Sequence, residues 1–426
     1  MSAPSGSDRP SPPLIVIGGG IGGLSTALAL ARRSIRSIVL EKEPEFVELG
    51  AGLQLGPNAT RVLDALGVFS TIEPLAVFPR RLILGDVQSG ADLFTLDLGE
   101  GFVSRFGHRY LVMHRHDLLS TLLAACQEAG VELRPGHEVT SLDDSGHDVV
   151  ARCADGSEFR GAGAIAADGL WSPTRETIVG DELLEEPYVA YRGTVPREQG
   201  SPLARSDAMV MWVGPGTHFV QYALRAGAIF NQVAVFRSER QRSGDPEWGD
   251  PTELEAAFAD TCPAVTEGLK AIKRDRRWPM VHRPPATTWT RGRVTLLGDA
   301  AHAMLQYAAQ GACQAIEDAF VLAHAMHDAD GNVAEAFGIY ERLRLPRASF
   351  VQLAARYWGK ACHLDGAGRA VRNALLARAS TEPYDDVEWL YGYDATLPTS
   401  ELLGRPDPAW AGGRVSYSSD PIEVRP

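Results

Sequence analysis

The chain has 426 residues, 45% hydrophobic and 22% charged, a composition typical of a globular protein of about two domains. Its formal net charge of -13 opposes binding to a phosphate backbone, and no basic run with interleaved aromatic residues is present, so nucleic acid is excluded as a partner. The five cysteines, Cys126, Cys153, Cys262, Cys313 and Cys362, lack a C-x-x-C pair. They predict neither a disulfide framework nor a metal site and fit a reducing cytoplasm.

The first two segments of the chain decide whether the protein is expected to enter a membrane. Residues 1–13, MSAPSGSDRPSPP, do not resemble a signal peptide and are predicted to form a disordered tail. The next segment, Leu14 to Ala31, has the length and apolarity of a membrane span, but five of its residues are glycines bunched as GGGIGG. A strand, a tight turn and a helix explain this pattern better, so no membrane span is predicted.

This segment opens a predicted βαβ unit. Its parts are a strand from Leu14 to Ile17, a helix from about Gly22 to Arg33 and a second strand, SIVLEK, that reaches Glu41. A second glycine-rich string, GAGAIA, also fits a dinucleotide pattern, but an apolar strand and a turn follow it instead of a helix. The sequence therefore predicts one dinucleotide fingerprint, and no separate domain for a nicotinamide cofactor.

The fingerprint itself consists of Gly18, Gly20 and Gly23 in the order G-x-G-x-x-G. These glycines permit a tight turn, close approach of the backbone to a pyrophosphate, and packing of the helix on the strand. Glu41 lies near the offset of roughly 20 residues expected for a carboxylate that binds ribose. The pattern indicates a dinucleotide site at the helix N-terminus. The alternative is a tight βα turn without a ligand.

Between Tyr188 and Pro279 the sequence is rich in residues that favour β-strands, and the predicted strands are MVMWV, HFVQYAL and IFNQVAVF. The last two read as a hairpin across RAGA. After Pro279 the α/β texture returns, followed by helices. We therefore expect a Rossmann-like α/β domain with an inserted β-sheet substrate domain and a helical C-terminal region. The expected bounds are 14–80, 105–185 and 280–360 for the nucleotide domain, 81–104 and 186–279 for the substrate domain, and 361–426 for the C-terminal region and tail.

A second candidate site lies in LLGDAAHAMLQYAAQGACQAIEDA. Asp299 follows the predicted buried strand VTLL, at the end where open α/β sheets bind ligands. The helix predicted from Gly311 directs the free N–H groups of its first turn, near Ala312, at the same crevice. A flavin explains both features, because Asp299 can accept a hydrogen bond from a ribitol hydroxyl while the helix N-terminus faces the flavin edge that becomes negative on reduction.

Three stretches together resemble the signatures of single-component FAD-dependent aromatic hydroxylases: GGGIGG with Glu41, ADGLWSPTR from Ala167, and LLGDAAHA. The p-hydroxybenzoate and salicylate hydroxylases belong to this family. The resemblance implies a p-hydroxybenzoate hydroxylase-like fold, noncovalently bound FAD, and NADH or NADPH as a transient reductant. The chain departs from the usual family pattern at Ala303, Gln306 and Cys313.

The resemblance also assigns roles to individual residues. It implies that Arg115 in MHRHDLL contacts FAD, that Asp168 belongs to the middle signature, and that Asp299 lies beside the flavin. The full expected cofactor-binding set is Gly18, Gly20, Gly22, Gly23, Glu41, Lys42, Arg115, Val139, Asp168, Asp299, Gly311 and Ala312.

The expected catalytic residues are His218, Tyr222 and Gln306. His218 and Tyr222 are four apart on one predicted strand, so they share a face and lie roughly 13 Å apart along it. A hydroxybenzoate of about 6 to 7 Å with a hydrogen bond of about 2.8 Å at each end nearly spans that distance. His218 would then accept the phenolic proton, Gln306 would hold the hydroxyl, and Tyr222 would bind the carboxylate. The alternative for His218 is a satisfied core histidine. His302 is a second candidate base, for which a structural role is favoured.

The family's chemistry implies a monooxygenase that acts through a flavin C4a-hydroperoxide on a phenolic aromatic acid and O2. Gln306 and the strand sequences are most similar to the members that convert 3-hydroxybenzoate to 2,5-dihydroxybenzoate (gentisate). Decarboxylation of salicylate to catechol and a non-catalytic flavoprotein sensor remain alternatives. A plain NAD-dependent dehydrogenase does not explain Asp299, and a flavin halogenase lacks its W-x-W-x-I-P stretch here. We expect a cytoplasmic enzyme that can form a homodimer.

Overall fold

The structure, a computed structural model, describes residues 12–47, 50–201, 204–205, 207–244, 251–378 and 384–405. Residues 1–11 of the predicted tail and residues 406–426 of the predicted C-terminal region lie outside the described residues. Within the described ranges, no helix is both long enough and apolar enough to cross a membrane.

The described residues form both strands and helices, and after Leu296 only helices follow. The strands are β1 (Leu14–Ile17), β2 (Ser37–Glu41), β3 (Gly52–Leu55), β4 (Arg81–Asp86), β5 (Asp92–Asp97), β6 (Leu111–His114), β7 (Glu132–Pro135), β8 (Val139–Asp143), β9 (Val149–Cys153), β10 (Glu158–Gly161), β11 (Gly163–Ala166), β12 (Leu184–Pro196), β13 (Ala208–Gly214), β14 (Thr217–Leu224), β15 (Ile229–Arg237), β16 (Arg277–His282), β17 (Thr290–Arg291) and β18 (Val294–Leu296). The α-helices are α1 (Ile21–Ala31), α2 (Pro57–Ala65), α3 (Phe69–Ile72), α4 (Glu100–Phe106), α5 (Arg115–Glu128), α6 (Pro173–Ile178), α7 (Glu239–Ser243), α8 (Thr252–Ala257), α9 (Pro263–Lys270), α10 (Asp299–His302), α11 (Gly311–Asp328), α12 (Val333–Cys362), α13 (Gly366–Leu376), α14 (Asp385–Tyr391) and α15 (Thr399–Gly404).

The first sheet has the order β17-β18-β11-β1-β2-β7, and its strands are parallel except for β17 against β18. All four residues of β1 and of β11 are buried, as expected for parallel strands covered on both faces. The predicted βαβ unit is confirmed, with β1 beside β2 and helix α1 between them in the chain. GAGAIA contributes β11 and no helix, as the sequence indicated. The carboxyl ends of β1, β11 and β18 meet at one edge.

The second large sheet has the order β16-β12-β15-β14-β13-β4-β5. Its strands β14 and β15 form the predicted hairpin, joined by a 3-10 turn at Arg225–Gly227. One face packs under helices α8 and α9 through apolar side chains such as Trp212, Phe219 and Val265. The sequence did not reveal these helices. The opposite face, which carries His218 and Tyr222, turns toward the first sheet's domain.

Buried ion pairs join helix α11 to helix α12. Arg344 Nη1 lies 2.5 Å from Glu317 Oε2, and Arg344 Nε lies 2.7 Å from Asp318 Oδ1. Arg347 contributes a second guanidinium, with Nε 2.8 Å from Glu317 Oε2. Burial by itself would raise the pKa of Asp318, but His302 and Arg344 outweigh it and lower that pKa to about 2. The carboxylates therefore stay ionised in the core because two arginines surround them.

Replacing Arg344 with Leu leaves two buried carboxylates with too few counter-charges. We expect the variant to lose about 3–5 kcal/mol of stability, measured by urea or thermal unfolding. The matched control is Arg342→Leu on the exposed side of the same helix, which should change stability by about 0.5 kcal/mol or less. Equal effects of the two substitutions would contradict a stabilising role for the network.

Candidate functional site

Each glycine in the turn after β1 has different surroundings, so a side chain would be excluded at some positions and tolerated at others. Gly18 has φ +101°, and a Cβ there would lie 2.3 Å from the carbonyl oxygen of Ala167. A Cβ on Gly23 would lie 1.9 Å from the carbonyl oxygen of Gly18, so helix and strand pack through bare backbone. A Cβ on Gly20 would meet no atom within 4 Å. The turn is thus closed on its protein side and open on the side where a pyrophosphate would approach.

Glu41, at the end of β2, holds this turn. Its Oε2 accepts a hydrogen bond from the Gly19 N–H at 2.6 Å, and its Oε1 accepts one from the Glu43 N–H at 2.9 Å. Lys42 beside it is exposed. A Cβ on Gly22 would lie 3.0 Å from a methyl group of Leu297, so that glycine serves helix packing. A ribose contact by Glu41 stays a prediction.

Asp168, just after β11, carries a buried oxygen that lacks a partner. Its Oδ2 accepts a hydrogen bond from the Thr174 hydroxyl at 3.0 Å, whereas its Oδ1 is buried with no hydrogen bond from the described residues. Burial raises the pKa of Asp168, against the opposing effect of Ser172 and Thr174. A hydroxyl of a bound ligand would satisfy Oδ1. Val139, on β8, is partly buried against a hydrophobic cluster that includes Ile15 and Ala151, and its contact with FAD stays a prediction.

Asp299 follows β18 closely and is the first residue of helix α10. It is exposed, while Ala300 and Ala301 immediately after it are buried. The turn before it depends on Gly298, which has φ +62° and donates its N–H to Asp318 Oδ2 at 3.1 Å. A Cβ on Gly311 would meet only Asp299 Oδ1, at 3.7 Å. The carboxylate and the first turn of α11, which includes the half-buried Ala312, therefore border the same open space.

Arg115 is the first residue of helix α5 and packs against the loop before β3. A Cβ on Gly50 would lie 2.7 Å from Arg115 Cδ, so a larger residue there would displace the arginine. Its positive charge lowers the pKa values of Tyr222 and Arg192, which both lie on the second large sheet. Arg115 thus lies between the nucleotide domain and that sheet.

These features fit flavin adenine dinucleotide. The open space beside Gly20 accommodates a pyrophosphate, and the exposed carboxylate of Asp299 is available to ribitol hydroxyls. The unpartnered oxygen of Asp168 adds an acceptor that the described protein atoms leave unused. Small residues at Gly311 and Ala312 leave room for a flat ring system.

His218 and Tyr222 both lie on β14 and share its face toward the nucleotide domain, as the sequence predicted. The His218 side chain is buried, and its Nδ1 lies 2.8 Å from His363 Nε2. Its Nε2 has no hydrogen-bond partner among the described residues. Burial, with a smaller effect of His363, keeps the pKa of His218 well below its usual value. The imidazole is therefore neutral at pH 7 and can accept a proton.

Tyr222 is buried at the other end of the face. A Cβ on Gly52, the first residue of β3, would lie 2.7 Å from the Tyr222 hydroxyl, so this glycine makes room for the phenol. Burial raises the pKa of Tyr222, against the effects of Arg115 and a hydrogen bond with Gln54. Tyr222 therefore stays a neutral hydrogen-bonding group.

Gln306 and His302 occupy the loop between β18 and α11. Gln306 lies in a 3-10 turn, Gln306–Ala308, and its side chain makes no hydrogen bond to the described residues. The next residue, Tyr307, has its ring centre 5.1 Å from that of His218. His302 Nε2 lies 2.6 Å from the buried carboxylate of Asp318, which supports the structural role expected for this histidine.

Sequence reasoning did not find His363, which follows helix α12. Its ring stacks on Tyr188 with centres 4.3 Å apart, and burial and Arg372 lower its pKa to about 3. A cleft begins beyond His363 and is lined by Glu186, Tyr188, Leu305, Tyr307, Arg356, Gly359, Lys360 and His363. No local motif marks this residue, because only the tertiary fold brings it beside His218.

A parallel sheet with a dinucleotide turn, facing a second sheet that carries a buried histidine and tyrosine, defines a flavin-dependent oxidoreductase. The chain belongs to the family described as FAD binding domain, whose model matches residues 12–351. This match confirms the resemblance stated from the sequence, the α/β fold of p-hydroxybenzoate hydroxylase type and FAD as the cofactor.

Similar proteins extend over nearly the whole chain. The chain is 38% identical over 391 residues to 3-hydroxybenzoate 6-hydroxylase of Polaromonas naphthalenivorans (strain CJ2), which covers 91% of this chain and 98% of that protein. A protein of the same name from Klebsiella oxytoca is 38% identical over 381 residues, covering 89% and 96%. Among solved structures, a variant of Klebsiella pneumoniae HpxO complexed with FAD has a TM-score of 0.79 and 28% identity, covering 88% of this chain and 97% of that chain. A salicylate hydroxylase substrate complex has a TM-score of 0.77 at 24% identity, covering 93% and 98%, and shares the fold.

Replacing Asp299 with Ala is expected to weaken FAD binding, since the ribitol hydroxyls lose a charged acceptor. The visible absorbance of the purified variant, relative to its protein absorbance, gives the FAD content. The exposed Asp299 carboxylate makes no hydrogen bond or ion pair to the described residues. The melting temperature of the variant apoprotein should therefore stay near that of the parent apoprotein. Full occupancy together with unchanged flavin reduction by NADH would contradict this role for Asp299.

Proposed function

We propose that this chain is a flavin-dependent monooxygenase that hydroxylates 3-hydroxybenzoate to 2,5-dihydroxybenzoate, with O2 and a reduced nicotinamide as co-substrates. The observation that carries the proposal is His218, a buried neutral base on the sheet face opposite the flavin site, whose Nε2 has no partner among the described residues. The names of the relatives at 38% identity support this substrate.

We further propose that residues 81–104 and 186–279 form the substrate domain and that 14–80, 105–185 and 280–360 form the FAD domain. The seven-stranded sheet draws its strands from the first set apart from the outer ends of two of them, since β12 begins at Leu184 and β16 ends at His282, and this supports the division. In this arrangement the aromatic acid lies on the face of β14, between His218 and Tyr222. A cytoplasmic homodimer is part of the proposal, and the five buried free cysteines suit a reducing compartment.

Binding at both ends fixes the ring. Tyr222 donates its hydroxyl to the carboxylate end, and Gln306, whose side chain is free of hydrogen bonds to the described residues, holds the phenolic oxygen. Because both substituents are held, one ring edge faces the flavin. The buried surroundings of His218 and Tyr222 keep water from that edge.

Proton removal is the chemical task of the histidines. His218 Nε2 accepts the phenolic proton, and the proton on its Nδ1 passes to His363 Nε2 at 2.8 Å. A cation on buried His218 is disfavoured, so onward transfer through His363 toward the cleft that contains Glu186 avoids holding charge there. Bound FAD supplies the activated oxygen. The phenolate directs attack to the carbon para to its oxygen, which bears a hydrogen and loses it as a proton to restore aromaticity, while the second oxygen atom of O2 leaves as water.

The product identifies the reaction. Incubation with 3-hydroxybenzoate, NADH and air should give 2,5-dihydroxybenzoate, detected by chromatography, with no release of CO2. Salicylate serves as the comparison substrate, since a salicylate hydroxylase attacks the carbon that bears the carboxylate and forms catechol with stoichiometric CO2. Catechol from salicylate without turnover of 3-hydroxybenzoate would replace the proposal with that activity. Bound FAD without hydroxylation of either acid would identify a sensor.

His218→Ala should retain FAD and continue NADH oxidation while hydroxylation falls by about 100-fold or more, as expected for loss of a general base. Reducing equivalents would then appear as hydrogen peroxide, measured with a peroxidase assay. The control is His116→Ala, an exposed histidine on α5 that should leave coupling unchanged. If His218→Ala loses FAD and its melting temperature collapses, His218 is a core histidine and the proposed base is wrong.

A further inference from the structure

Asn231 leaves a buried hydrogen-bond donor unused. The side chain lies on β15 and is fully buried. Its Oδ1 accepts a hydrogen bond from the Gly52 N–H at 2.9 Å, which fixes the orientation of the amide. Its Nδ2 has no hydrogen-bond partner among the described residues. An unpaired amide donor in a protein interior is unfavourable, so Nδ2 points to an acceptor supplied by a ligand.

Arg192 on β12 carries an unpaired charge on the same sheet face. In the described part of the chain, its guanidinium makes no hydrogen bond and no ion pair, and its Cζ lies 4.1 Å from the ring centre of Trp278. Burial first, and then the charges of Arg115 and Arg276, lower the pKa of Arg192 to about 10. No carboxylate is among the groups that act on it. Arg192 is still charged at pH 7, and a cation in such surroundings favours an anion beside it.

The strand register brings these groups together. Tyr222 pairs with Asn231 across β14 and β15, and Val233, two residues after Asn231, pairs with Arg192 across β15 and β12. Directly paired residues share a face, so Asn231 has Tyr222 beside it and Arg192 diagonal to it. Arg115 acts on the pKa values of both Tyr222 and Arg192 and therefore adds a second cation to this corner.

We propose that Asn231 and Arg192 form the carboxylate-binding end of the aromatic acid site. Asn231 Nδ2 donates to one carboxylate oxygen, and Arg192 supplies the opposite charge that a neutral tyrosine does not provide. This inference rests on the proposed function, because it assigns residues that recognise its substrate. With this pair of residues, tight binding requires a negatively charged ligand. The site therefore distinguishes aromatic acids from neutral phenols of the same shape.

The test measures dissociation constants of the oxidised FAD-loaded enzyme for 3-hydroxybenzoate and for 3-hydroxybenzamide, from changes in flavin absorbance without NADH. Asn231→Asp keeps an acceptor for the Gly52 N–H and replaces the donor with a negative charge. We expect it to weaken binding of the acid by about 100-fold or more and binding of the amide far less. Arg192→Gln should weaken binding of the acid by about 10-fold or more.

Arg276→Gln is the matched control. Arg276 is exposed and also lies over Trp278, at 3.8 Å, so its loss removes a nearby charge without removing the proposed contact. It should weaken acid binding by less than about threefold. FAD content and melting temperature are recorded for every variant, and Arg192→Gln provides the test if Asn231→Asp does not fold.

Four results would overturn the inference. Equal weakening of acid and amide binding in both variants would mean that the residues shape the pocket without recognising charge. Loss of FAD from Asn231→Asp, with normal acid binding by Arg192→Gln, would assign the amide to the cofactor. Unchanged acid binding by both variants would reject the site while leaving the proposed function intact. A parent enzyme that binds no 3-hydroxybenzoate at all would reject the proposed function and this inference with it.

Discussion

The carboxylate of Asp318 is the constraint on which the cofactor edge of the structure depends. It accepts hydrogen bonds from the Gly298 N–H and from His302 and is ion-paired with Arg344. These contacts hold the turn at Gly298 that exposes Asp299. Because two unpaired buried charges would be costly, Asp318 and Arg344 can occupy the core only together. The same ion pairs join helices α11 and α12, so the position of α11, whose first turn borders Asp299, depends on contacts with a helix later in the chain.

The same loop connects the two halves of the site. Its first part follows β18 and leaves Asp299 exposed beside the start of α11, and its second part places Tyr307, next to Gln306, against His218 on the face of β14. A shift of helix α12 would move both parts, since Gly359 gives Tyr307 its space on that helix. Cofactor binding and substrate binding thus share one structural support, which suits a reaction in which both must be aligned.

Local patterns predicted much of the fold, including the glycine turn after β1 and the position of Asp299 after β18. Gly18 and Gly23 were recognisable because a backbone contact at a fixed spacing leaves a sequence signature, and Asp299 because it follows an apolar strand. The ion pairs of Arg344 and the hydrogen bond between His218 and His363 were not predictable, because they join residues far apart in the sequence. The short helices α8 and α9 were missed since the β-rich texture around them dominated the pattern.

The electrostatics of the β14 face give its two ends different chemistry. At one end, His218 and His363 are kept neutral by burial, so this end can take up a proton but does not attract an anion. At the other end, Arg192 and Arg115 are cations beside the neutral Tyr222. In the proposed site, a hydroxybenzoate would have its carboxylate drawn to the cations and its weakly acidic hydroxyl left for the histidines. The reverse orientation would bury a carboxylate beside two neutral imidazoles and leave the cations unpaired, so charge favours the orientation in which the phenol would meet the proposed base.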